Sequence, residues 1–178
     1  MKKINLKDIA ELIGIAAIVA SLIFVGVQLQ QEQEIAIVDT YGSVAETEIS
    51  LSIHVGENIA VWRKGLEGEN LTEEEMGKFL GLAAAVESQY QRNYIRWFRL
   101  GPGNPDAFAS EFAYALYIFP GLKNSFEDRL RFDALRDEAR GFGRDLSPWE
   151  TNIISYLSKF EEDNVPIPDS KNYIFWTI

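Results

Sequence analysis

The hydrophobic pattern changes character three times along the chain. From Leu12 to Val27 it is almost unbroken, with Ser21 the single polar side chain. Adding Ile9, Ala10 and Leu29 gives about 20 residues, roughly 30 Å of helix and enough to cross a bilayer core. A polar stretch, Gln30 to Glu34, follows, and after it apolar residues return at intervals of three or four: Ile35, Val38, Tyr41 or Gly42, Val44 or Ala45, Ile49 and Ile53. No proline occurs before Pro102, so the spacing predicts one continuous helix from about Ile4 to about His54. Gly42 is its weak point, costing about 1 kcal/mol relative to Ala in a helix interior.

Beyond His54 the pattern is punctuated by helix-start signals. A short helix is expected around Ile59 to Lys64, closed by Gly65. Thr72 with Glu75 three residues on reads as a capping box, with Leu71 and Met76 placed as a hydrophobic staple. The helix it opens is expected to reach about Leu100, with Met76, Phe79, Leu80, Val86, Tyr90, Tyr94 and Trp97 or Phe98 inward. Asn104-Pro105-Asp106 opens another, with Phe108, Phe112, Leu116 and Phe119 inside before Pro120-Gly121 breaks it. Ser125 with Asp128 begins a further helix, ending near Gly141. Ser147-Pro148-Trp149-Glu150 begins the last, with Ile153, Leu157 and Phe160 inward. No stretch alternates as a strand does and no repeat is visible, so the expected class is all-α. The organisation read from the pattern is residues 1–8 as a cytoplasmic N-terminus, 9–29 as a transmembrane helix, 30–162 as a soluble helical bundle and 163–178 as an aromatic tail that docks on something.

The apolar N-terminal run has two other readings. A basic start followed by an apolar run also describes a signal peptide, although no small-x-small cleavage site follows and the run is long for one. A buried soluble helix would need a larger body to cover an element apolar on all sides. Lys2, Lys3 and Lys7 precede the run, and no Lys or Arg follows until Arg63, which places the N-terminus in the cytoplasm and the body outside. Ala10, Gly14, Ala17 and Ser21 fall on one face, where another backbone can approach closely, and are the expected oligomer interface.

Charge and composition narrow the functional classes. The formal charge is −10, and because residues 1–29 contribute +1, the rest carries −11. An acidic body repels phosphate backbones, so nucleic acid is not an expected partner. Without cysteine there is no disulfide, thiolate ligand or Cys nucleophile, and with His54 as the sole histidine neither a zinc site of the usual kinds nor a Glu-x-x-His di-metal site can be built. No serine sits in Gly-x-Ser-x-Gly, and Gly101-Pro102-Gly103 and Gly141-Phe142-Gly143 are helix-ending turns. No catalytic residue, metal ligand or cofactor site is assigned, and an enzyme is not expected.

Two groupings remain. Glu87, Tyr90 and Tyr94 share a face beside the apolar stripe, where the carboxylate can accept from a phenol or pair with Arg63, as a structural polar network or a ligand site. Arg92, Arg96 and Arg99 form a basic stripe, either a solvated face or a contact for lipid phosphates or a partner subunit.

The segments SLIFVGVQLQQ, VWRKGLEGENLTEEEMGKF and ESQYQRNY resemble those of uncharacterised bacterial single-pass membrane proteins of unknown function. The resemblance covers roughly residues 9–100 and implies an anchored helical fold and no activity. Proteins of this type carry Arg and Asn after the membrane helix where this chain has Gln30, Gln31, Glu32 and Gln33, so the orientation rests on this chain's own lysines. The function expected from these readings is association at the bacterial inner membrane, with the lipid bilayer and with itself or another membrane protein as partners. The alternative is a ligand-binding sensor or carrier with an aromatic pocket among Trp62, Tyr90, Tyr94, Trp97 and Phe112.

Overall fold

The computed structural model describes residues 6–100 and 104–167, with the side chains of 6–9, 40–41 and 99–100 left aside. Six helices account for its regular structure, and the described residues contain no strand: α1 (Leu6–Glu57), α2 (Ile59–Leu66), α3 (Glu73–Leu100), α4 (Asp106–Ile118), α5 (Pro120–Ala139) and α6 (Pro148–Glu162). The chain divides into two units, Met1–Thr47 and Glu48–Ile178.

In the first unit α1 is helical from Leu6 onward, and its apolar side chains face outward all round: Leu12, Ile18, Leu22 and Phe24 are all exposed. One N-terminal helix is therefore long and apolar enough to span a membrane, with a mean hydropathy of 2.5 over its most apolar window and none of that window buried.

In the second unit the core is built around α4. Phe112, Ala113, Leu116 and Phe119 are buried there, against Phe79, Val86 and Tyr94 of α3, Leu122 and Phe126 of α5, and Trp149, Ile153 and Leu157 of α6. Ring and polar contacts set the directions. Tyr90 packs on Phe112 and the Asp106 charge acts on Tyr94, so α3 and α4 run antiparallel, as their short connection requires. Asp106 meets Asn152, Tyr114 meets Phe160, and the Tyr117 hydroxyl donates to the carbonyl of Val165, so α4 and α6 run parallel. Lys123 pairs with Glu161 and Arg129 with Glu150, so α5 runs antiparallel to α6, while α4 and α6 pack directly against each other.

The helix starts at Thr72 and Ser147 form as their sequences require. The Thr72 hydroxyl accepts from Glu75 N–H at 3.2 Å and the Glu75 carboxylate accepts from Thr72 N–H at 2.9 Å; Ser147 and Glu150 repeat the arrangement at α6. Together with the Lys64 ammonium, the Thr72 N–H holds the Glu75 carboxyl down to about 2 from 4.5. Thr72→Ala is expected to cost about 1 kcal/mol of stability, measured by chemical unfolding of the full chain. Because the folded value is depressed, this carboxyl's contribution is present above pH 4.5 and is lost as pH falls toward 2, so the acid limb of the unfolding curve should flatten in Glu75→Gln.

Three expectations are corrected. Helix α5 begins at Pro120, not at Ser125: Phe119 is extended, as a residue before proline prefers, and Pro120 occupies the first helical position, where its missing N–H costs nothing. Gly65 does not close α2; it and Gly121 are where α2 and α5 touch. A Cβ on Gly121 would lie 1.7 Å from the Gly65 carbonyl oxygen, and one on Gly65 would lie 2.1 Å from the Phe79 ring. Finally, Met76, Leu80 and Phe98 are exposed, and Tyr90 and Trp97 only half-buried. The buried line of α3 runs through Phe79, Leu82, Ala83, Val86, Gln89, Asn93 and Tyr94, so it admits two polar residues that the apolar letters alone pass over. Gln89 is accommodated by donating to Glu48 at 3.3 Å and accepting from Arg92 at 3.1 Å.

Candidate functional site

Where α3, α5 and the start of α6 meet, charged side chains converge in a partly buried cluster. Arg129 of α5 places its guanidinium edge on the Glu87 carboxylate in the bidentate geometry that matches the two planar groups, with Nε 3.0 Å from Oε2 and Nη2 on Oε1. Its remaining nitrogen, Nη1, lies 3.2 Å from both Glu150 Oε1 and Asp133 Oδ2. Arg144, in the loop between α5 and α6, donates to Glu150 at 2.6 Å and to the Leu130 carbonyl at 3.1 Å, and Arg136 pairs with Asp133 at 2.9 Å. Three carboxylates thus face three guanidiniums. The Arg129 cation also lies 5.1 Å from the centre of the Phe126 ring.

Local structure explains why these groups arrive together. Glu150 is the third residue of the α6 capping box, so its Oε2 is already turned back to the Ser147 N–H at 2.9 Å, leaving Oε1 for the two arginines. Arg129 and Asp133 are one turn apart on α5, which points both at the same partners. Gly141 ends α5 in the left-handed region at φ 75°, and Phe142 N–H returns to the Asp137 carbonyl at 2.9 Å, so the chain turns and brings Arg144 back over Leu130.

The electrostatics are those of a closed network. Burial pushes the Glu87 carboxyl up, and the Arg129 charge opposes this without cancelling it. Burial also acts on Glu150, but the Ser147 bonds and the two arginines outweigh it and hold its carboxyl down. Arg129 is held up: desolvation lowers it, and the charges of Glu87 and Glu150 more than offset that. The Trp149 indole N–H, like that of Trp62, is buried without a hydrogen-bond partner among the described residues. Chemically, the cluster pins three helical elements in register. Each carboxylate is occupied by charged donors, an arrangement that fixes position and disfavours proton abstraction.

The residues singled out by sequence are distributed differently. Glu87 does enter a polar network, but its cation is Arg129; Arg63 is exposed on α2 and takes no part. Tyr94 accepts from Asn152 at 3.2 Å and packs against Trp149 with the rings tilted by 57°, while the half-buried Tyr90 ring packs against Phe112 with burial pushing its phenol up to about 12. Of the expected aromatic pocket, Phe112 is enclosed by Tyr90, Phe126 and Trp149, and Trp62 packs on Phe79. Arg92 folds onto its own helix, donating to the Ser88 carbonyl and Gln89, and Arg96 is half-buried; the Arg99 side chain lies outside those described. Ala10, Gly14, Ala17 and Ser21 are all exposed on α1, and a Cβ on Gly14 would meet nothing within 4 Å. The expected tail, residues 163–178, lies outside the described residues from 168 on. Arg129, Asp133 and Arg144 escaped the sequence reading; the one local signal was a second capping box whose glutamate had an oxygen to spare.

Among the described residues no group of three or more His, Asp or Glu side chains converges as a metal site. No protein-family model, curated protein or solved structure matches this chain.

Proposed function

We propose that this protein is a membrane-anchored interaction module: a single-pass protein of the bacterial inner membrane, N-terminus in the cytoplasm, whose helical body works outside the membrane. It acts by association, as a homo-oligomer or as an accessory subunit of a larger membrane complex, and carries out no reaction of its own. The observation that carries this reading is the fully exposed apolar surface of α1 from Ala10 to Leu29. Such a surface is costly in water and satisfied in a bilayer, where the helix pairs all its own backbone groups. Lys2, Lys3 and Lys7 support the orientation. The balanced cluster at Glu87, Arg129 and Glu150 supports a rigid body with its charges committed internally.

Within the bilayer the attraction between helices must come from close backbone approach, for which Ala10, Gly14, Ala17 and Ser21 leave room. The protein is expected to remain in the membrane pellet after alkaline extraction, and its native mass in mild detergent to exceed that of one chain. Gly14→Leu with Ala17→Leu should shift that mass toward the single chain, whereas Val19→Leu, on another face, should not. Release by alkaline extraction would reject the anchor. An unchanged mass in the double variant would move the assembly to another surface.

A further inference from the structure

The water-side stretch of α1 carries a second surface. Ile35, Val38, Gly42 and Ala45 follow one another at intervals of three, four and three, the spacing of a helix seam. Ile35 is 60% and Val38 68% exposed, Ala45 is exposed, and a Cβ on Gly42 would meet nothing within 4 Å. The seam is apolar and its two small members allow close approach. Its charged borders are acidic: Glu32, Asp39 and Glu46 flank one side, and Glu34, followed by Tyr41, flanks the other. Between Lys7 and Arg63 there is no Lys or Arg, so the helix supplies no cation of its own to these carboxylates.

From this we infer that the α1 seam between Glu32 and Glu46 docks an amphipathic helix of a different chain, one with an apolar seam bordered by Lys or Arg. The inference deepens the accessory-subunit form of the interaction reading and rests on it: Ile35, Val38, Gly42 and Ala45 continue the register of Ala10, Gly14, Ala17 and Ser21 on one helix, so the chain seated here is also the one that packs on the anchor face. The charge pattern selects the occupant. Two copies anchored in the same membrane with the same orientation can only pair in parallel. In a parallel pair, flanking residues five positions apart face each other across the seam, so Glu34 of each copy would meet Asp39 of the other. Like charges there oppose pairing. An anionic lipid surface is repelled by the same borders. A basic-bordered helix gains both the apolar contact and the opposite charges.

The test uses the full chain in zwitterionic nanodiscs and two synthetic three-heptad peptides with the same leucine seam, one with Lys and one with Glu at the flanking positions. Fluorescence anisotropy should report saturable binding of the Lys peptide and roughly tenfold or weaker binding of the Glu peptide. Added salt should weaken the first. Val38→Asp should reduce binding about tenfold, while Ile37→Asp on another face leaves it unchanged. Reversing Glu32, Glu34, Asp39 and Glu46 together to Lys should exchange the two preferences. Equal binding of both peptides, or indifference to Val38→Asp, would overturn the inference. So would efficient disulfide linking of Val38→Cys chains to one another, since that makes a second copy the occupant. The anchor reading fails by a separate measurement, the loss of co-flotation with vesicles.

Discussion

Arg129→Met is expected to destabilise the helical body by about 3 kcal/mol in chemical unfolding of the full chain. The cost arises from what is left behind more than from what is removed. Glu87 loses both of its charge-assisted bonds while its carboxylate remains largely buried, at 12% exposure. Arg129 keeps a third of its surface in water, which places the effect at the lower end of the range for broken buried pairs. Glu150 and Asp133 suffer less, because Arg144 and Arg136 remain to them. It follows that Glu87→Leu added to Arg129→Met should recover most of the loss, a non-additivity that a merely electrostatic surface contact would not give.

The two carboxylates Glu87 and Glu150 on Arg129 predict opposite pH responses. The Glu87 carboxyl is raised in the folded protein, so as pH falls the folded state takes up its proton before the unfolded chain does, and protonation removes the cost of the buried charge. The deficit of Arg129→Met relative to the wild type should therefore shrink on acidification. Glu150 is depressed, so its contribution is present above its ordinary value of 4.5 and is lost as pH falls through the lower folded value. Removing Arg144 should weaken that acid-sensitive part. A deficit in Arg129→Met that is constant with pH would show that the guanidinium acts by packing on Phe126 alone.

Gly121→Ala is expected to cost about 3 kcal/mol, the upper end of overpacking, for the addition of one methyl group. The atom it would strike is the backbone oxygen of Gly65, 1.7 Å away, and a backbone cannot rotate aside as a side chain can. Helices α2 and α5 would have to separate, loosening Leu66 and Leu122, which are buried on either side of the crossing. Gly77→Ala, on an open face of α3, supplies the contrast: nothing lies within 4 Å of the added carbon, and the variant should be more stable by roughly 0.5 to 1 kcal/mol. Thermal unfolding of the two variants side by side should therefore give shifts of opposite sign. If Gly121→Ala unfolds like the wild type, the α2–α5 crossing is not as close as described.

What the amino-acid sequence determined by itself was whatever depends on neighbours within about one helical turn. The starts at Thr72 and Ser147 were legible because donor and acceptor lie three residues apart and meet in any helix begun there. The all-α class and the spanning length of α1 were legible for a similar reason, since period and run length are properties of the chain and not of its packing. Pro120 misled because the same residue ends one helix and begins another, and only the position of Phe119 against the core distinguishes the two.

Tertiary structure decided the rest. Spacing on α3 offers Glu87 a phenol or a cation such as Arg63, but its pairing with Arg129 depends on where α5 crosses α3, 42 residues further along the chain. Gly65 and Gly121 looked like punctuation until the two helices they belong to were brought into backbone contact. The inward face of α3 turned on Gln89 and Asn93, polar residues that a periodicity of apolar letters cannot select. Their burial is tolerated only because a partner such as Glu48 waits at the right place for Gln89. Local bonds are written in spacing; pairing between helices is fixed only when packing sets their angle and register, because burial then makes an unpaired charge or a misplaced methyl group costly.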